Sequence, residues 1–369
     1  ASTHNHTETA QALLAAGADK EATNNDGDTA LICASDKGHA ETAQALLVAG
    51  ADKEATNNDG DTALICASNM GHTETAQALL TAGADKEAKG NNGWTALTFS
   101  SLRGHTETAQ ALLVAGADKE AKDNDGWTAL IFASRNGHTE TAQVLLAAGA
   151  DPQATTLDGD TALIWAAYYG HTETAMALMD AKAKKDHRNI KGNTALMQAS
   201  MEGRLITVQA LLIARAHPNA FNISKNTALI LACDKGHDKI AQALIAAGAY
   251  EDVTNEDGDT ALIRASNNGH ADTVRMLARY GARVKVKNAS GNTALIRASY
   301  GGHSAAVKHL LLSGADPTVT NNKGETALDV ASRNHHAGVV ELINAAVLAE
   351  ASGGGGKQPA AALVAGLSN

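Results

Sequence analysis

The sequence predicts an all-α solenoid of about ten full repeats, each 33 residues long, preceded by an N-terminal half repeat. The tripeptide Thr-Ala-Leu returns every 33 residues, ten times, without a change of register. A fixed period of this length indicates one supersecondary unit stacked many times. The threonines of the tripeptide are Thr29, Thr62, Thr95, Thr128, Thr161, Thr194, Thr227, Thr260, Thr293 and Thr326.

The first half of one repeat shows how the residues specify a turn and a helix. The segment Asn57-Asn58-Asp59-Gly60 predicts a turn, because its side chains are short and polar and its glycine tolerates positive φ. Thr62 suits a helix N-cap, since its hydroxyl can accept a backbone N–H that would otherwise lack a partner. The first helix is then expected from Ala63 to Asn69, with its end at Gly71.

The second half of the repeat predicts another short helix, over residues 73–80. Ala76, Leu79 and Leu80 fall at a spacing of three to four residues and form one apolar stripe. Gly83 closes this helix before the chain runs out to the next turn. Neither helix can bury its stripe alone, so each repeat needs its neighbours.

These markers together resemble the ankyrin repeat. The family pattern combines Asp-x-x-Gly-x-Thr-Pro-Leu-His with Gly-His, Leu-Leu and Gly-Ala, and the chain shows the last three as Gly38-His39, Leu46-Leu47 and Gly50-Ala51. The usual proline is alanine here, and the usual histidine after it is mostly isoleucine. The resemblance covers roughly residues 4 to 347 and implies an ankyrin-repeat solenoid of helix-turn-helix units joined by turns or fingers.

The period also predicts the domain organisation. We expect one array over residues 1–350, followed by a Gly-rich linker and a short apolar tail over 351–369. The chain enters at the second helix of a repeat, and residues 1–5 are too few to supply the first helix. This end is expected to fray, or to be covered by another chain or by further sequence. The tail is compatible with a free segment, a C-terminal cap or a docking peptide.

The motifs argue against catalysis. The chain has no Gly-x-Ser-x-Gly elbow, no phosphate-binding Gly-x-x-x-x-Gly-Lys-Ser/Thr and no His-Glu-x-x-His. Ten of its histidines recur at one repeat position, about 10 Å apart in stacked helices, so no two could share a metal ion. The resemblance implies that this histidine hydrogen-bonds the backbone near the turn. We therefore predict no enzyme activity, no cofactor and no metal site.

Charge and composition favour a protein partner. The formal net charge is −10 and the pI is about 5.8, which argues against nucleic acid. No apolar run approaches the length of a membrane span, and three cysteines do not form a disulfide framework. We expect a cytoplasmic chain without membrane insertion, and the sequence leaves the oligomeric state open.

Aromatic residues are concentrated in repeats 3–5. Ankyrin proteins usually meet partners with a concave face made of turn tips and first helices, and most of the rings fall at such positions. Large rigid rings at an exposed site are typical of binding hot spots. The alternative is that the rings lie over one another and fill gaps in an alanine-rich core. The predicted contact residues of this groove are Trp94, Phe99, Leu102, Trp127, Phe132, Trp165, Tyr168, Tyr169 and Met201.

Basic residues predict a second contact toward the C-terminal half. Residues 264–297 carry seven lysines and arginines against Asp272 alone. Arg264, Arg297 and Tyr300 fall on the same groove. A partner with an acidic segment, folded or extended, would fit, because charge complementarity fixes register and raises the association rate. The alternative is that these basic residues are scattered over the solvated surface and form no contact site.

Three basic residues replace glycines that end a helix or a turn. Lys182 and Arg215 stand at helix ends, and Lys225 stands in a turn. A β-carbon at positive φ costs on the order of 1 kcal/mol. We therefore expect a different loop geometry at these three positions.

Together these features predict a non-catalytic protein–protein interaction module or scaffold that binds through the aromatic groove of repeats 3–5. The alternative is a structural subunit of a large assembly, held by the uncapped N-terminal end and the C-terminal tail. A membrane-tethered or channel-attached fragment of a longer protein is a third hypothesis, and substrate processing is a distant fourth.

Overall fold

The structure is a computed structural model that describes residues 6–352, with the backbone alone for residues 350–352. The described residues form 21 α-helices and no β-strand beyond three isolated bridges at turn tips. The chain divides into two compact units between Lys184 and Lys185, so repeats 1–5 and repeats 6–10 are described separately. Residues 1–5 and the predicted tail at 353–369 lie outside the described residues.

The first unit contains a single leading helix and five helix pairs. In chain order the helices are α1 (Thr7–Ala15), α2 (Ala30–Asp36), α3 (Ala40–Val48), α4 (Ala63–Met70), α5 (Thr73–Thr81), α6 (Ala96–Arg103), α7 (Thr106–Val114), α8 (Ala129–Asn136), α9 (Thr139–Ala147), α10 (Ala162–Tyr169) and α11 (Thr172–Asp180).

The second unit contains five further pairs. They are α12 (Ala195–Met201), α13 (Leu205–Ile213), α14 (Ala228–Asp234), α15 (Asp238–Ala246), α16 (Ala261–Asn267), α17 (Ala271–Arg279), α18 (Ala294–Tyr300), α19 (Ser304–Leu312), α20 (Ala327–Arg333) and α21 (Ala337–Ser352). Within residues 6–352, no helix combines the length and the apolar character needed to cross a membrane.

Within each unit, a helix packs on the equivalent helix of the neighbouring repeat, so that α4 lies between α2 and α6 while α5 lies between α3 and α7. The core between them is a thin layer repeated many times. In repeat 2 it consists of Leu64 and Ile65 from the first helix and Ala76 and Leu79 from the second, all essentially fully buried. The predicted stripe is therefore present, although Leu80 is only half-buried.

The predicted threonine caps are confirmed. Thr62 accepts a hydrogen bond from the backbone N–H of Ile65 at 3.4 Å, and its backbone is extended, as an N-cap requires. All ten threonines of the tripeptide make the same bond. Every first helix therefore begins at a fixed residue of the repeat.

The recurring histidine links consecutive repeats. Nε2 of His105 donates to the carbonyl oxygen of Asn69, at the end of the preceding first helix, at 3.1 Å. The ring fills the space beside Gly71, where a β-carbon would stand 2.5 Å from Nδ1 of His105. Burial lowers the pKa of His105, because a buried site disfavours the charged form of the ring. The structural role implied by the resemblance is confirmed.

The turn tips carry a second link, which we call the asparagine ladder. Oδ1 of Asn57 accepts the N–H groups of Asp59 and Asp61 and so closes the tip. Nδ2 of Asn57 donates to Asp28 of the preceding repeat at 3.2 Å. The same bond recurs in the second unit from Asn222 to Asn193, Asn255 to Asn226, Asn288 to Asp259 and Asn321 to Asn292.

The last helix of the second unit is longer than the other second helices. It has sixteen residues where the others have nine, and Val339, Ile343 and Ala346 are buried. Its backbone continues through Ala351 and Ser352, the first two residues of the predicted linker. The last second helix of the described repeats is thus a long α-helix.

The expectation of a different loop geometry at the three basic residues is wrong. Lys182, Arg215 and Lys225 keep φ values of 67°, 64° and 57°, as a glycine would. They hold the left-handed conformation despite their β-carbons.

Backbone hydrogen bonds explain why the loop shape survives. The N–H of Lys182 donates to the carbonyl of Met179 at 3.0 Å, and the N–H of Ala183 donates to that of Leu178 at 2.9 Å. The same pair of bonds closes the corresponding helix at Gly83. These bonds pair carbonyls that would otherwise be unsatisfied, and they outweigh the local strain.

We expect Arg215→Gly to stabilise the protein by about 0.5–1 kcal/mol, because it relieves the left-handed strain at the cost of a freer unfolded chain. Urea unfolding at neutral pH measures the change. Lys235→Gly is the matched control, since Lys235 ends a first helix at φ −94° and has no such strain to relieve. Equal effects of the two substitutions would contradict the assignment of strain to Arg215.

Candidate partner-binding site

Seven rings of repeats 3–5 form one continuous cluster in the first unit, which we call the aromatic cluster. Its members are Trp94, Phe99, Trp127, Phe132, Trp165, Tyr168 and Tyr169. Trp94 packs edge-on against Phe99 and Phe132, with ring centroids 5.0 and 5.3 Å apart. Trp127 lies 5.0 Å from Phe132. The rings of repeats 3 and 4 are thus interlocked.

The cluster continues through repeats 4 and 5. The rings of Trp127 and Trp165 are 4.9 Å apart, and Tyr168 and Tyr169 lie 5.9 and 6.0 Å from Trp165. Edge-on and offset pairs of this kind contribute about 0.5–1.5 kcal/mol each beyond the area that they bury. The rings are therefore held in place before any partner arrives.

The members of the cluster lie at two depths. Phe99 and Phe132 are buried, at 6% and 4% exposure, so the expectation that both phenylalanines lie exposed is wrong. The reason is that Trp94 lies against both of them. The three tryptophans and Tyr168 are half-buried, and Tyr169 is 37% exposed. The phenylalanines support the indoles from within, while the indoles and tyrosines form the surface.

Arg135 belongs to the cluster, and the sequence analysis missed it. Its guanidinium carbon lies 5.3, 5.7 and 5.8 Å from the ring centroids of Trp127, Trp165 and Tyr169. These distances permit cation–π attraction to all three rings. Arg135 occupies the repeat position that carries Leu102 in repeat 3, so aligning the array against itself could have found it.

Asp123 positions two of the indoles. Its Oδ2 accepts the indole N–H of Trp94 at 2.9 Å, and its Oδ1 accepts the backbone N–H of Trp127 at 2.7 Å. The indole Nε1 of Trp165 is buried, and no hydrogen-bond partner for it is found among the described residues. An unpaired buried N–H costs about 1–3 kcal/mol, so this donor is a polar feature that packing alone does not explain.

The asparagine ladder is interrupted in the repeats that carry the aromatic cluster. Its position holds Gly90, Asp123 and Thr156 in repeats 3–5, where the flanking repeats hold asparagine, as at Asn57 and Asn189. The aromatic cluster and Asp123 replace the amide bonds at this stretch of tips.

Asp61 stands at the edge of this interruption. A β-carbon on Gly90 would meet Oδ1 of Asp61 at 2.3 Å, so the carboxylate occupies the space that a ladder side chain would fill. Burial, followed by the nearby charge of Asp59, raises the pKa of Asp61 to about 6. Burial and Asp61 together raise the pKa of the Cys66 thiol to about 12, which keeps the thiol protonated.

The remaining predicted contact residues fall in both units. Leu102 is half-buried in the first unit, and its carbonyl oxygen accepts Nε2 of His138 at 3.0 Å. Met201 is half-buried in the second unit, and its carbonyl oxygen accepts a hydrogen bond from Nε2 of His237 at 3.2 Å.

Arg264 of the second unit is neutralised within the protein. Its guanidinium bonds Asp234 at 2.5 Å and lies 3.6 Å from Asp259. Arg297 occupies the same position one repeat later, where the corresponding neighbours are the amides Asn267 and Asn292. Arg297 therefore makes no ion pair with the part of the chain that the structure describes.

Tyr300 lies beside this arginine. The guanidinium carbon of Arg297 is 5.9 Å from the ring centroid of Tyr300, whose side chain is exposed. Of the two predicted groove arginines, Arg297 alone keeps a charge that is not already balanced by a carboxylate in residues 6–352.

The repeat geometry agrees with a sequence comparison. A family model described as Ankyrin repeats (3 copies) matches residues 1–90, 82–156, 149–222, 208–288 and 281–349. The chain belongs to the ankyrin-repeat family. Ankyrin repeats are protein–protein interaction modules, and the ankyrin fold is typically non-catalytic. Among curated proteins, no sequence matches this ankyrin-repeat chain.

The raised pKa of Asp61 predicts a pH-dependent stability. Because the folded protein keeps the proton that an unfolded chain loses near pH 4, stability falls as pH rises from about 4 to 6. We expect Asp61→Asn to be more stable than the parent chain at pH 7 and similar to it at pH 4, as measured by urea unfolding.

The matched control is Asp28→Asn at the same repeat position. The carboxylate of Asp28 accepts amide hydrogen bonds from Asn24 and Asn57. Replacing Asp28 with asparagine should therefore give no gain in stability that grows with pH. A gain for Asp61→Asn that is the same at both pH values would contradict the role of burial.

Proposed function

We propose that the chain is a non-catalytic protein-binding module or scaffold that meets its partner with the aromatic cluster. The observation that carries this proposal is a continuous row of three half-buried indoles, supported from within by two buried phenylalanines. Ring contacts, Asp123 and Arg135 fix the indoles in advance. A preorganised surface of this kind loses little side-chain freedom when a partner binds.

The composition of the turn tips supports the same proposal. Mutual packing of the rings contributes to the stacking of repeats, and packing alone could account for their contacts. Packing between tips does not require tryptophan, however, because the asparagine ladder joins the tips of the flanking repeats without any ring. Leu102 would extend the contact in the first unit.

A separate contact is proposed for the second unit. Arg297 and Tyr300 form a pair of a guanidinium and an exposed ring, which suits an acidic segment of a partner. Met201 is an additional apolar contact of this unit. Arg264 contributes less, because Asp234 and Asp259 already balance its charge.

A cytoplasmic location is proposed from the thiols. Cys33, Cys66 and Cys233 are free, and burial raises the pKa of all three. Chains that work in oxidising compartments more often use their cysteines in disulfides.

The alternative function is a structural subunit of a large assembly. One observation favours it: Leu13 of α1 is 50% exposed, while the equivalent Leu46 and Leu79 are at 2% and 0%. An apolar helix face of this kind would suit a permanent neighbour. Light scattering separates the two functions, because a chain that is monodisperse and monomeric at high concentration contradicts the permanent-subunit hypothesis.

The test of the proposed function is capture of partners from a lysate by the immobilised chain and by Trp127→Ala/Trp165→Ala. We expect captured proteins to bind the variant at least about tenfold more weakly, because central aromatic hot spots each contribute 2 kcal/mol or more. Quantitative mass spectrometry of the captured fraction measures the loss.

The matched control is Tyr250→Ala, which removes an exposed ring outside the aromatic cluster. It should capture the same proteins as the parent chain. Circular dichroism at the assay temperature must show all three chains folded, because the double variant loses ring contacts. Undiminished capture by a folded double variant would contradict the proposal.

A further inference from the structure

The turn tips of the first unit are strongly acidic. The five tip loops, residues 23–28, 56–61, 89–94, 122–127 and 155–160, carry eight aspartates against two lysines. These loops stand on the same face as the aromatic cluster, because Trp94 and Trp127 are themselves tip residues. The cluster therefore lies in a strip of negative charge.

The cations of this face are already engaged. The ammonium groups of Lys89 and Lys122 donate to the carbonyls of Lys122 and Thr155 at 2.8 and 3.1 Å. Arg103 donates to Oδ1 of Asn69, and Arg135 lies over the rings. None of these contacts neutralises a tip aspartate.

The carboxylates remain open to a partner. Asp26, Asp59, Asp125 and Asp158 are exposed, one in each of four tip loops, and none forms an ion pair with the described part of the chain. They also lie on both sides of the tryptophans along the array.

A cavity joins the acidic tips of repeats 1 and 2 to their first helices. Its volume is about 310 Å³, and its lining includes Asp26, Asp28, Asp36 and Asp59. Lys37 pairs with Asp36 at 2.9 Å, while Asp28 is bound by neutral amides. The cavity is large enough for a side chain and offers it mainly carboxylate oxygens.

We propose that the segment bound on the aromatic cluster is an extended basic peptide, whose arginine and lysine side chains reach the acidic tips on either side of the rings. The inference rests on the proposed function and adds the chemical class of the partner segment. Arg135 shows that the cluster accepts a guanidinium over its ring faces. The aliphatic stems of basic side chains also cover apolar surface while their charged ends stay near water.

The dimensions suit an extended chain. Stacked helices stand about 10 Å apart, and an extended peptide advances about 3.3 Å per residue, so about three peptide residues correspond to one repeat. A segment of about twelve residues spans four repeats and can contact both the rings and the tips beyond them.

The experiment is a selection of phage-displayed random 12-residue peptides on the intact immobilised chain. We expect the selected sequences to be enriched in arginine and lysine over aspartate and glutamate. Synthetic copies of the selected peptides should lose affinity for the parent chain as salt increases, because the tip carboxylates are exposed.

Two chain variants test the assignment of the charges. Asp26→Asn/Asp59→Asn should weaken a selected peptide by roughly twofold to fivefold per carboxylate, the range of exposed ion pairs, and should reduce the salt dependence. The matched control is Asp257→Asn, which alters the same repeat position in the second unit and should leave the affinity unchanged.

The outcomes separate this inference from the proposed function. If the selected peptides are acidic or neutral and fail to bind Trp127→Ala/Trp165→Ala, the inference of a basic partner segment is wrong. Binding on the aromatic cluster is then still supported. Peptides that bind the folded double variant as well as the parent overturn both. A selection that yields no peptide above background also overturns the inference, since a basic segment of this length is expected to bind.

Discussion

In most repeats, although not in repeat 6 where Arg204 holds the position, the second helix is preceded by a histidine that ties it to the preceding repeat, and the regular stacking of these repeats depends on that contact. Its ring occupies a gap that a glycine leaves open, and its Nε2 binds a carbonyl at the end of the neighbouring first helix. The contact recurs at a constant separation of 36 residues from donor to acceptor. Equivalent side chains of successive repeats therefore face each other in register. The asparagine ladder and the aromatic cluster both use this regular spacing.

The turn tips show two uses of the same position. In most repeats an asparagine closes its own tip and bonds the tip before it, which stabilises the array and presents a polar edge. Repeats 3–5 give up this amide, and large rings take over the contact between tips. The half-buried Asp61 stands beside Gly90, where the ladder amide is missing, and partial burial raises its pKa to about 6. Stability and the proposed recognition would therefore use the same set of tip positions in different repeats.

The period of the sequence was sufficient for the fold, because threonine caps and apolar stripes are local features that repeat in phase. The depth of a ring was not predictable, since it depends on which neighbour covers it: Phe99 and Phe132 lie under Trp94, although they share a repeat position with Trp165. The loop geometry at Lys182 was not predictable either. The local sequence indicates the strain of a β-carbon at positive φ, but it does not show the two backbone hydrogen bonds that close the loop. Arg135 was missed because only apolar residues were sought at its position.

The tryptophans of this chain occupy a single cluster, and this has an optical consequence. Intrinsic indole emission originates in repeats 3–5 alone, since all other repeats lack tryptophan. Fluorescence during unfolding therefore follows the C-terminal half of the first unit, whereas far-ultraviolet circular dichroism follows every helix. A difference between the two transition midpoints measures how far the array departs from all-or-none melting. The same residues that mark the candidate contact thus give the molecule a built-in local reporter of its cooperativity.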